Sequence, residues 1–116
     1  MKTYSFERLN AWQESRLLVK HIYKLTADFP NHEKFGLVSQ IRRAAVSVSS
    51  NIAEGSGRNS IADQKHFYRI AFSSLMEVLN QAILSVDLDY IEDEQLKQIR
   101  IQIDKTAQLI SGLAKA

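Results

Sequence analysis

At 116 residues, with 45% hydrophobic content and a single proline, the chain has room for one domain over residues 1–116 and one substantial core. The absence of cysteine excludes a disulfide framework, a thiolate nucleophile and a thiol metal site, and fits a reducing, cytoplasmic setting. Net charge is +2, yet Asp87, Asp89, Glu92, Asp93 and Glu94 form a run of −5, which leaves the rest of the chain at +7, a mildly basic body with one acidic tip.

The N-terminus "MKTYSFERLNAW" carries charges and no continuous apolar run of signal-peptide length. No stretch reaches the roughly 18 consecutive apolar residues of a membrane span, so neither secretion nor membrane insertion is expected.

Four helical runs follow in chain order. From Phe6 to about Asp28, Ala11, Leu18, Ile22 and Leu25 recur at helical spacing, and Trp12, Val19 and Tyr23 widen the stripe. The only proline, in "DFPNHEKFG", separates this run from a second over Asn31 to Glu54, whose stripe is Leu37, Ile41, Ala44, Ala45, Val48 and Ile52. Asn31 is a candidate cap, Glu33 suits a first turn, and Gly55 is read as a left-handed stop. The third run opens at Ser60 and Asp63, which resemble a capping box, and continues through Phe67, Ala71, Leu75, Val78, Ala82 and Val86. The last shows a heptad of Leu96, Ile99, Ile103, Thr106, Ile110 and Leu113, with Glu92, Asp93 and Glu94 where the helix dipole favours carboxylates. No segment alternates with period two. Four amphipathic helices joined by short connections predict an all-α, antiparallel up-down-up-down four-helix bundle.

The third helix carries more apolar surface than one bundle interior uses. Phe72, Met76 and Ile83 cluster on one flank of its core face and Ile70, Leu84 and Leu88 on the other, which points to self-association or a partner. On the second helix, Arg43, Ser47, Ser50 and Glu54 fall on one line opposite Ile41, Val48 and Ile52. That line is either a solvated face or a contact ridge. Glu77 lies between Ile70 and Leu84, and a carboxylate among aliphatics needs a partner, so pairing with Arg42 or Arg43 across helices or subunits is expected.

Site chemistry is sparse. "EGSGR" lacks the lysine and hydroxyl ending of a phosphate-binding loop and follows a helix instead of a strand. His21, His32 and His66 are scattered, and "DQKH" offers one carboxylate-x-x-His unit where a di-iron bundle needs two. The run Asp87 to Glu94 lacks the glycine and ligand periodicity of a calcium loop. No metal, cofactor, small-molecule substrate or catalytic residue is expected.

The stretch "LNAWQESRLLVKHIYKLTADFPNHEKFGLVSQIRRAAVSVSSNIAEG", with "FYRIAFSSLMEVL" and "DLDYI", resembles the small four-helix-bundle proteins encoded in intervening sequences of bacterial 23S ribosomal RNA genes. "QIRRAAVSVSSNIAEG" is the most specific part. The accessory protein of diversity-generating retroelements, which associates with a reverse transcriptase and binds nucleic acid, is a similar protein. The resemblance implies a ring-like homopentamer. It maps onto Trp12, Tyr23, Pro30, Glu33, Gln40, Arg42, Arg43, Ala44, Ser47, Asn51, Ile52, Glu54, Gly55, Ser74 and Glu77, none of which it marks as catalytic.

The functional expectation is a non-enzymatic homo-oligomer that binds RNA, DNA or a nucleic-acid enzyme. Candidate phosphate contacts are Arg16, Lys20, Lys24, Arg42, Arg43, Arg58, Lys97, Arg100 and Lys105, of which Arg16, Lys20 and Lys24 form one ridge at four-residue spacing. Candidate interface or structural polar residues are Arg42, Arg43, Ser47, Ser50, Asn51, Glu54 and Glu77, with Phe72, Met76 and Ile83 as apolar contacts. The competing expectation is a protein-interaction scaffold in which Arg42 and Arg43 satisfy Glu54 and Glu77 at subunit contacts.

Overall fold

The computed structural model describes residues 1–115. Its helices are α1 (Asn10–Thr26), α2 (Leu37–Ser56), α3 (Ile61–Asp87) and α4 (Asp93–Lys115). Each packs on its neighbour in sequence, and α1 closes the ring against α4, the arrangement of an up-down-up-down bundle. The 27 residues of α3 span roughly 40 Å at 1.5 Å per residue, which accounts for the 44 Å long axis.

The expected stripes become the core. Leu18, Ile22, Ile41, Val48, Leu75, Ile99, Ile103 and Ile110 are at most 1% exposed. Burial of each such side chain contributes about 1.5–3 kcal/mol. Among them sit Ser15, Thr26 and Thr106, whose hydroxyls donate back to carbonyls of Trp12, Ile22 and Gln102 and so enter the core already hydrogen-bonded.

The first helix starts later than its apolar spacing predicts. Ser5–Arg8 is a 3-10 turn, and Leu9 is extended at φ −73°, ψ 127°. Glu7 accepts from the Tyr4 backbone N–H at 2.7 Å, and Gln13 donates to the Glu7 carbonyl at 2.7 Å, so side chains satisfy the groups that a longer helix would have used. Phe6 thereby folds edge-on against Trp12, with ring centroids 5.0 Å apart.

Both expected ends of the second helix are also corrected. Asn31–Glu33 forms a separate 3-10 turn, and α2 begins at Leu37. The cap is Glu33, whose Oε1 accepts from the Leu37 N–H at 3.1 Å. Gly36 clears the way, because an added Cβ would stand 2.6 Å from that oxygen. At the other end Gly55 lies inside the helix, and no glycine has a positive φ among the described residues. Its role is packing: a Cβ there would meet Tyr68 Cε1 at 2.8 Å and Phe67 Cβ at 3.0 Å. With buried Ala44, Ala45, Ala71 and Ala82, this close approach makes α2 and α3 the most extensively packed pair.

Ser60 caps α3 as its sequence predicts, accepting from the Asp63 N–H at 3.1 Å. The helix ends at Asp87, and two residues on Asp89 takes the left-handed region at φ 62°, which lets the Tyr90 N–H reach back to the Ser85 carbonyl at 2.8 Å. This turn places Tyr90 and Ile91 over Phe29, Leu37 and Val38, a small second cluster beneath the end of the bundle.

Candidate functional site

The outward side of α2 and the adjoining side of α3 form an open groove of about 470 Å³. Its floor is a hydroxyl pair: Ser47 Oγ lies 2.8 Å from Ser74 Oγ, and Asn51 donates to both the Oγ and the carbonyl of Ser47, at 3.0 and 2.8 Å. Gln40 and Arg43 line the α2 wall, Glu77 and Gln81 the α3 wall, and Phe35 stands at one end, 89% exposed. The groove's hydroxyls bond to each other and to an amide.

Among the polar groups of this groove, Arg43, Glu77 and Gln81 matter most because of their charge or burial. Arg43 and Glu77 are exposed, and neither forms an ion pair among the described residues. The expected pairing of Glu77 with Arg42 or Arg43 is therefore absent within one chain. Gln81 is only 6% exposed, and its Oε1 has no hydrogen-bond partner. Leaving such an oxygen unsatisfied costs about 1–3 kcal/mol.

Arg42 differs from its neighbour. A residue offset of one turns the side chain through about 100°, which aims Arg42 at α1. There its Nε donates to Thr26 Oγ1 at 2.9 Å, its Nη2 to the Tyr23 carbonyl at 3.3 Å, and its guanidinium covers the Tyr23 ring at 4.5 Å. This half-buried arginine is a strut between two helices. Tyr23, expected on the apolar stripe, is 43% exposed as the outer platform of that contact. Glu54 is matched locally by Arg58 at 2.9 Å, and the Arg58 guanidinium also lies 4.5 Å from the Phe67 ring centroid. Ser50 is exposed on the same outer line.

A second face is basic. Glu14 pairs with Lys105 at 3.4 Å, and His21 meets Gln102 at 3.0 Å, so α1 and α4 are joined side by side. Arg16, Lys20 and Lys24 point outward from α1, and Lys97 and Lys105 outward from α4. Arg16 lies 5.3 Å from the Trp12 ring centroid, and Arg100 is exposed on the α3 side of α4. Leu17 and Ile101 are exposed among these charges, at 49% and 71%. The apolar flanks of α3 divide: Leu84 and Leu88 remain exposed and Met76 borders on it, whereas Ile70, Phe72 and Ile83 are half-buried, with Phe72 against the core.

Several important residues escape a reading of local sequence. Phe35 falls within the run expected to be the second helix but outside its apolar stripe, and the structure places it before α2 begins at Leu37. Gln81 is visible in retrospect, since it follows Ser74 by seven residues and Glu77 by four, a polar line on an otherwise apolar helix. The Glu33 and Tyr90 contact had no local signal: Tyr90 donates its hydroxyl to Glu33 Oε2 at 2.8 Å across 57 residues. Donation from the Leu37 N–H, then from Tyr90, holds the Glu33 carboxyl below its ordinary value. The same bond, with burial, pushes the Tyr90 hydroxyl above its own. His32 adds a 3.3 Å contact to the Tyr90 oxygen. The described residues contain no cluster of three metal-ligating side chains and no helix long and apolar enough to cross a membrane.

The family model described as 23S rRNA-intervening sequence protein matches residues 7–112, and the chain belongs to that family. The comparison with curated proteins gives no match. Among solved structures, the chain is similar to a protein of unknown function from the S23 ribosomal protein family of Bacteroides thetaiotaomicron VPI-5482. The TM-score is 0.80 at 24% identity, covering 91% of this chain and 99% of that one, a likeness that shows the fold.

Proposed function

We propose that this member of the 23S rRNA-intervening sequence protein family is a non-enzymatic binding protein that associates with copies of itself and contacts nucleic acid through the basic face of α1 and α4. The observation that carries the proposal is the state of that face: Arg16, Lys20, Lys24 and Lys97 are exposed on neighbouring helices, and none forms an ion pair among the described residues. Free cations on a rigid scaffold neutralise phosphates and release counterions, which gives affinity without base reading. A nucleic-acid enzyme, the partner implied by the likeness to the retroelement accessory protein, would act beside the same face. Five copies is the number that likeness implies.

The competing function is a scaffold that binds only protein, and the unpartnered α2–α3 groove favours it. Binding to structured RNA and duplex DNA, titrated against salt, separates the two. Nucleic-acid contact gives an affinity that falls linearly with the logarithm of salt concentration. No measurable binding at about 50 mM salt, where electrostatic attraction is strong, leaves the scaffold.

A further inference from the structure

Resting on the self-association proposed above, we infer that a second copy of this chain covers the α2–α3 groove, with Arg43 of one copy paired to Glu77 of the next. The groove presents one cation on α2 and one anion on α3, both exposed and unpaired within the chain. In a head-to-tail ring the α3 side of one copy meets the α2 side of the next, so each Arg43 finds a Glu77 and the junction repeats at every contact. The walls suit the approach of another chain: Ser39, Ala44, Ser47 and Ser74 are small, so backbone can come close.

Nucleic acid is a poor occupant of this groove. Glu77 stands inside it, and Asp87 and Asp89 close the same end of α3, so phosphates would meet carboxylates. The rim also has the wrong chemistry for a phosphate backbone. Phe35 projects at 89% exposure, and Leu84 and Leu88, seven and eleven residues beyond Glu77, are exposed at 41% and 50% on the same side of α3. An exposed aromatic ring and exposed aliphatics bordering polar groups are how a protein contact is built.

Sedimentation velocity on the full chain at micromolar concentration tests the pairing. Wild type sediments as an oligomer of 13.2 kDa chains. Arg43→Glu and Glu77→Arg each place like charges across the junction and weaken assembly at least about tenfold, and the double variant recovers most of the loss. Both positions are exposed, so far-UV circular dichroism remains that of wild type. Arg43→Gln and Glu77→Gln read the same contact if a charge reversal disturbs folding.

Assembly that is unchanged in both single variants, or a double variant no better than either single, overturns the pairing while leaving self-association standing. A wild-type monomer at about 100 µM, a concentration at which micromolar contacts are saturated, overturns both. If Arg43→Glu abolishes nucleic-acid binding and leaves the oligomer intact, the groove belongs to nucleic acid and the inference fails.

Discussion

Replacing Gly55 by alanine sets two effects of opposite sign against each other. In the interior of a helix, alanine is favoured over glycine by roughly 1 kcal/mol, because glycine loses more backbone freedom on folding. Against this, the new methyl would lie 2.8 Å from Tyr68 Cε1 and 3.0 Å from Phe67 Cβ. Carbon atoms prefer about 3.5–4.0 Å, so α2 and α3 must separate by roughly 0.5–1 Å along their tightest contact. Tyr68 is only 6% exposed and packs with the core, and the Phe67 Cβ moves only with its backbone. Overpacking of this kind costs about 1–3 kcal/mol, so set against the propensity gain the clash prevails and Gly55→Ala destabilises by up to about 2 kcal/mol. At about 2.1 cal/mol/K per residue, a chain of this length loses roughly 4 °C per kcal/mol, and Tm falls by up to about 8 °C. Gly112→Ala is the internal control, because nothing lies within 4 Å of its added Cβ, and it raises stability by up to about 1 kcal/mol. Thermal melts by circular dichroism, at one fixed protein concentration because association shifts Tm, read both variants. A Gly55→Ala protein that melts at or above wild type refutes the packing role.

Arg42→Ala loses the Thr26 hydrogen bond and the Tyr23 stack, so urea unfolding shows a loss of about 1–2 kcal/mol, while nucleic-acid affinity stays within about twofold of wild type. Lys20→Ala with Lys24→Ala reduces the slope of log affinity against log salt by roughly 0.9 per lost phosphate contact, whatever the nucleic-acid sequence. The Glu33 carboxyl titrates lower in the folded chain than in the unfolded one, so the unfolded state binds more protons in that window and stability falls as acid is added. Urea midpoints taken below neutral pH show this loss in wild type and a flatter limb in Glu33→Gln.

The residues that were legible from sequence are those whose role repeats along one helix. Leu18 and Ile22, or Ile99, Ile103 and Ile110, announce a buried face because burial requires apolar side chains at every turn, and four such faces joined by short connections leave few arrangements besides a bundle. Helix ends were less legible because their causes are remote. Glu33 caps α2 in a position braced by Tyr90, and nothing near residue 33 records that brace. Gly55 carries the same lesson in another form: beside the end of an apolar repeat a glycine reads as a stop, and only the rings of Tyr68 and Phe67 across the interface show that the missing Cβ is the point.

The sharpest case is the adjacent pair Arg42 and Arg43, chemically equal in sequence and offered together as phosphate or interface contacts. A helical turn of about 100° between them sends one toward α1 and the other outward. Which helix lies on that side follows from the order of packing around the bundle, and local periodicity is silent on it. Once Arg42 is committed to Thr26 and Tyr23, it cannot also serve Glu77, and Glu54 already has Arg58. The groove is left with Arg43 and Glu77 as an unmatched cation and anion beside an unsatisfied amide. The scaffold proposal and the self-association proposal thus draw on the same two exposed charges, and the charge-reversal pair is the experiment that addresses them directly.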